Sequence, residues 1–151
     1  MARFRFRLDA SLRLAEQKLE DARRALAEEL RRLDDLKQKR DHQQNLYGEV
    51  LEGQRKDALV HPEWLGYWQV YSLEQLEKLR RMEEEVKIQQ KAVEQARQIV
   101  YLAHQECEKF RRLKEKRWLL FIREEEKKEQ AILDEAGQIM NWRLKSGKQA
   151  V

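Results

Sequence analysis

His104 and Cys107 come nearest to a metal-ligating pair, because two residues three apart on a helix share a face. Two ligands fall short of the four that a structural zinc site needs. Cys107 also fits an apolar helical column, so a buried packing thiol is the expected role. His42 and His61 have no ligand partners at useful spacing. The carboxylate runs Glu83-Glu84-Glu85 and Glu124-Glu125-Glu126 would need a concave pocket to act as acid and base. A pair of helices offers no such pocket, so both runs read as solvated faces. The glycines at 48, 53, 66, 137 and 147 are isolated, and Ser146-Gly147-Lys148 has no glycine-rich lead-in, so no phosphate-cradling loop is expected. The residues predict no catalytic site, no cofactor and no metal.

Two other groups stand out. Lys109, Arg111, Arg112, Lys114, Lys116 and Arg117 crowd one segment, with Glu115 the acid among them, and Arg3, Arg5 and Arg7 alternate with Phe4 and Phe6 at the start. Like charges at that density repel one another, so this surface is expected to meet an acidic partner. Single-stranded nucleic acid is the competing ligand class, since basic residues with interleaved aromatics suit it. The balance of 32 basic against 28 acidic residues, net +4, weighs against nucleic acid, and none is expected. The second group is Trp64, Tyr67, Trp68 and Tyr71. Two helices cannot enclose four large rings beside a turn. Trp68 and one tyrosine are expected to close the turn against Tyr47, Val50 and Leu51, leaving the others as anchors for a partner.

The elements that position these groups follow from periodicity. Charged residues make up 40% of the 151, and Pro62 is the single proline, a composition typical of long helices and coiled coils. Columns Leu12, Leu19, Leu26, Leu33, Tyr47 and Ala15, Ala22, Leu36, Val50 alternate at three and four residues. Glu29, Arg40 and Gln43 interrupt them, with Leu30 placed to fill the first gap. Gly48 and Gly53 are expected to loosen the helix towards its end. Pro62 suits the first turn of a new helix, and Ser72 with Gln75 offers a later start as a capping box. The second stripe runs Leu79, Met82, Val86, Val93, Ala96, Val100, Ala103, Cys107 and Phe110, then slips, with Trp118, Phe121 and Ile122 on an offset face.

The expected fold is therefore all-α: one domain over 1–151, a long two-helix antiparallel coiled-coil hairpin with the second helix longer than the first. Helix 1 spans about 9–58, the turn 59–63, helix 2 about 64–145, and a C-terminal tail 146–151. Leu12 should lie near residue 110, the N-terminal arginines beside the basic segment, and residues 118–146 should overhang. No apolar run reaches membrane-span length, the start lacks the apolar core of a signal peptide, and one cysteine fits a reducing compartment, so a cytoplasmic location is expected. A homodimeric coiled coil with Pro62 as a kink is the structural alternative.

The opening Phe4-Arg5-Phe6-Arg7-Leu8, the run Glu16-Gln17-Lys18-Leu19-Glu20-Asp21-Ala22 and the Trp64-x-x-Tyr67 element resemble the flagellar export protein FliJ family. That resemblance implies a cytosolic component of the type III export apparatus, a two-helix stalk that enters and stimulates a hexameric export ATPase ring. It also implies contact with the membrane export gate, peripheral association with the inner membrane through the apparatus, and a role in cycling export chaperones. On this reading Arg3, Arg5, Arg7, Arg111, Arg112, Lys114 and Arg117 meet the ATPase ring, and Trp64, Tyr67, Tyr71, Leu76 and Leu79 meet the gate. No direct membrane insertion is expected, and the free chain is expected to be a monomer. The equivalent stalk of a virulence injectisome has the same architecture and stands as the alternative.

Overall fold

The computed structural model describes residues 2–149. Helix α1 spans Asp9–Val60, a single 3-10 turn covers Pro62–Trp64, and α2 spans Leu65–Gln149. No strand occurs among the described residues. The fold is a two-helix hairpin with 52 residues in α1 and 85 in α2.

The turn sits at Pro62 and not at Ser72. The proline ring crowds the residue before it, and His61 is driven out of the helical region to φ −131°, ψ 75°. That ends α1. Pro62 then occupies the first position of the new turn, where its missing N–H costs nothing. The Trp64 amide donates to the His61 carbonyl at 3.1 Å, and the two rings stack at 4.3 Å. Ser72 lies inside α2, its hydroxyl donating to the Gln69 carbonyl at 2.9 Å.

The contacts divide into two units. The first, Gln17–His104, contains the turn. Its seam is apolar at Leu19, Ala22 and Val50 on α1 and at Leu79, Val86, Val93 and Ala96 on α2, all buried. Between these the seam is polar. Buried Gln43 donates its amide to the Gln75 side-chain oxygen at 2.8 Å and to the Gln75 carbonyl at 3.1 Å. Gln89 donates to the Glu29 carbonyl at 3.0 Å and to the Glu29 carboxylate. Pairing 43 with 75 and 29 with 89 makes the helices antiparallel. Leu30 does not fill the gap at Glu29; it is 39% exposed, because the Gln89 amide satisfies Glu29 in the seam position. Gln54 Oε1 is buried without a hydrogen-bond partner.

The second unit joins residues up to Glu16 with those from Gln105 onward. Leu12, Ala15 and Cys107 are buried. Asp9 meets Lys114 at 3.1 Å and Glu16 meets Arg111 at 3.8 Å, again antiparallel. The expected slip after Phe110 is partial: Arg117 is exposed, while Ile122 on the offset face is half-buried beside Phe121. Lys114 keeps a half-buried seam position and Phe121 follows one heptad later, because an ion pair satisfies the charge there.

α1 does not loosen at its glycines and continues to Val60. A Cβ at Gly48 would meet nothing within 4 Å, whereas one at Gly53 would lie 3.0 Å from the Trp68 ring. Gly53 is the clearance that lets Trp68 lie on α1. Gly48→Ala should thus stabilise by about 1 kcal/mol through helix propensity alone. Gly53→Ala should give none of that gain, because Trp68 must shift; paired thermal melts check the contrast. α2 also passes through Ser146-Gly147 to Gln149, so the expected end at 145 and tail from 146 are corrected. One glycine costs an established helix only about 1 kcal/mol, and Lys148 suits its last turn. Ala150 and Val151 lie outside the described residues.

Candidate partner-binding surfaces

The start of the chain is an extended strap. Residues 2–6 lack helical structure and alternate in exposure: Arg3, Arg5 and Arg7 face solvent, while Phe4, Phe6 and Leu8 are half-buried. A period of two is what an extended segment requires when one side lies on a surface. Phe4 meets Trp118 edge-on at 5.2 Å and Phe121 at 5.5 Å, and Trp118 stacks on Phe121 at 5.8 Å. The overhang therefore does not begin at 118: Phe4 of the strap reaches Trp118 and Phe121, and Phe121 and Ile122 are half-buried. Reach from an extended segment is what helix counting misses.

Strap and helix line a cleft of about 630 Å³ whose walls carry Arg3, Arg5, Arg7 and Arg117 with one acid, Glu124, and whose apolar lining includes Phe6, Leu113 and Leu120. Four of the seven basic residues expected at an acidic partner thus come together. Arg112 faces a neighbouring groove with Lys109 and Lys116. The other two are engaged within the chain: Arg111 with Glu108 at 3.1 Å and Glu16 at 3.8 Å, and Lys114 with Asp9. The hydrogen bond to Glu108 is the main cause that holds the Arg111 charge more firmly than usual. The basic segment is therefore less self-repelling than its sequence suggests.

The Lys114 hydrogen bond is also the main cause that holds the Asp9 carboxyl below the ordinary aspartate range, with Arg13 adding to it. A depressed carboxylate stabilises the folded form above its ordinary pKa, and that contribution disappears as pH falls through the lowered value. Protection of amides around Asp9 should hold at neutral pH and fall in acid below the ordinary aspartate range. Asp9→Asn should weaken it at neutral pH and remove the acid step; hydrogen exchange against pH checks both.

The second surface lies at the turn. Trp64, Tyr67, Trp68 and Tyr71 line a shallow groove of about 340 Å³. Trp68 is half-buried, donating its indole N–H to Asp57 Oδ2 at 2.7 Å and meeting Tyr71 at 6.4 Å. It closes the turn against Gly53 and Asp57; Leu51 is 43% exposed and does not serve as its floor. Tyr67 is 79% exposed, Trp64 48% and Tyr71 42%. Leu76 is half-buried. Leu79 is only 7% exposed and belongs to the seam, so it offers a partner nothing. Its heptad position already pointed inward.

Among the described residues, no group of three or more His, Cys, Asp or Glu could hold a metal ion, and no helix is long and apolar enough to cross a membrane. The described residues thus form paired helices, with a basic cleft in one unit and exposed rings in the other. Residues 4–146 match the family described as the flagellar FliJ protein, and the chain belongs to that family. It is a flagellar export-associated protein and a structural component of that machinery. No curated protein and no solved structure matches it.

Proposed function

We propose that this chain is the stalk of the flagellar export ATPase, entering the hexameric ring with its strap-bearing surface and stimulating hydrolysis. The observation that carries this reading is the cleft, where Arg3, Arg5, Arg7 and Arg117 outnumber its one acid, Glu124, and make no ion pair among the described residues. Unpaired guanidinium groups that are already held together form short, bidentate bonds to carboxylates at little ordering cost. An acidic surface inside the ring is the complementary partner. The exposed rings of Trp64, Tyr67 and Tyr71, with Leu76 beside them, dock the export gate and bring the chain to the inner membrane from the cytoplasm. Cycling of export chaperones belongs to the same role.

Reversal of Arg3, Arg5, Arg7 and Arg117 to Glu should abolish ATPase stimulation while leaving the helices intact by circular dichroism. Undiminished stimulation by that variant sinks the ring contact. Trp64→Ala with Tyr67→Ala and Tyr71→Ala should lower gate binding without touching stimulation.

A further inference from the structure

From residue 126 to 145 every α2 residue is exposed, and no other element among the described residues buries it. This stretch still carries an apolar stripe. Ile132, Leu133, Ala136, Ile139, Met140 and Leu144 recur at helical spacing on one face. Ile132, Leu133, Met140 and Leu144 are each about two-thirds exposed, and Ile139 is 53% exposed. The stripe continues the face that Cys107, Lys114 and Phe121 turn towards their contacts.

Its charge is divided along its length. Residues 123–135 hold six acids against three bases, net −3; residues 136–148 hold Arg143, Lys145 and Lys148 and no acid, net +3. The segment is its own electrostatic complement when reversed. A two-fold axis at Ala136 would set Ile132 against Met140 of a second copy, Leu133 against Ile139, and Glu129 against Arg143. Glu129 and Arg143 lie seven residues from Ala136 on either side, and neither has an ion-pair partner among the described residues. Glu126 would lie within reach of Lys148. Ala136 and the adjoining Gly137 are small enough for close approach at the axis.

We infer that this surface is a self-association site: the free chain forms an antiparallel dimer through residues 126–148 of two copies. A parallel pair is disfavoured, since it would place Glu129 on Glu129 and Arg143 on Arg143. The inference does not depend on the ATPase reading.

Sedimentation equilibrium of the full chain tests it. The parent should dimerise with a Kd on the order of 10 µM, as suits a small interface. Glu126→Lys with Glu129→Lys should weaken association by at least about tenfold, through like charges facing across the pair. Adding Arg143→Glu and Lys148→Glu to that same chain should restore the parent constant to within about threefold, because the complement is re-formed with its signs exchanged. A parent that stays monomeric up to about 100 µM overturns the proposal. So does a dimer that the first two reversals leave unchanged, or one that the four together fail to restore.

Discussion

Gln75→Leu alone should lower stability by about 2 kcal/mol, whereas Gln43→Leu combined with Gln75→Leu should recover that loss and exceed the parent. Gln43 is 6% exposed and Gln75 5%, so both amides are held largely away from solvent. In the single variant the Gln43 amide keeps only its bond to the residue 75 carbonyl and loses the one to the side-chain oxygen. Buried polar atoms stripped of a partner bear their full desolvation cost. With both amides replaced, nothing polar is left to satisfy and two leucines meet in the seam. Equilibrium denaturation of the four chains in the cycle gives the signs directly. The double variant should also lose uniqueness of register, since a polar pair penalises every pairing that separates its members. Cross-linking between engineered cysteines one heptad out of register would detect that. A cycle in which the double variant is no more stable than Gln75→Leu would show that the pair contributes through something other than mutual satisfaction.

Phe4→Ala with Phe6→Ala should release the strap. Two aromatic contacts made by Phe4, at 5.2 and 5.5 Å, disappear, each worth roughly 0.5–1.5 kcal/mol beyond the area buried. A total near 3 kcal/mol corresponds to about a hundredfold rise in the open population. Amide protection at the strap and the edge of α2 near Trp118 should fall by that factor, while protection near Gln43 should not change, since it lies in the other unit. The arginines would lose their fixed spacing, so ATPase stimulation should weaken although no charge has been altered. Undiminished protection would mean that Leu8 and the Asp9–Lys114 pair hold the strap unaided.

The apolar half of this fold is legible in the sequence, and the polar half is not. Leu12, Ala15, Leu19 and Ala22 announce the α1 seam, and Val86, Val93 and Cys107 that of α2, because apolar spacing is the signal that periodicity carries. Ser72, Gln75 and Gln89 occupy seam positions just as regular and leave no such trace. Gln75 and Gln89 find their partners, Gln43 and Glu29, on the other helix, and that adjacency is a property of the paired structure. Lys114 read as the point where the register fails for the same reason; its partner Asp9 is 105 residues away. At the basic surface the residues were legible but their arrangement was not. Alternation in Arg3 to Leu8 signals an extended segment with two faces, yet not that Trp118 and Phe121 receive one of them. Leu79 shows the converse error, a seam residue enlisted for the surface because of its place in the chain.

The one thiol of this protein turns the second unit into a clock. Cys107 has no exposed surface at all, so a thiol reagent in solution reaches it only when the helices around it part. With reagent in excess and reclosing fast, the labelling rate measures the fraction of time that the region spends open. No probe has to be introduced, and no second cysteine confuses the signal. The same measurement, made while an acidic partner occupies the cleft, would report in seconds or hours how tightly that partner clamps the helices together.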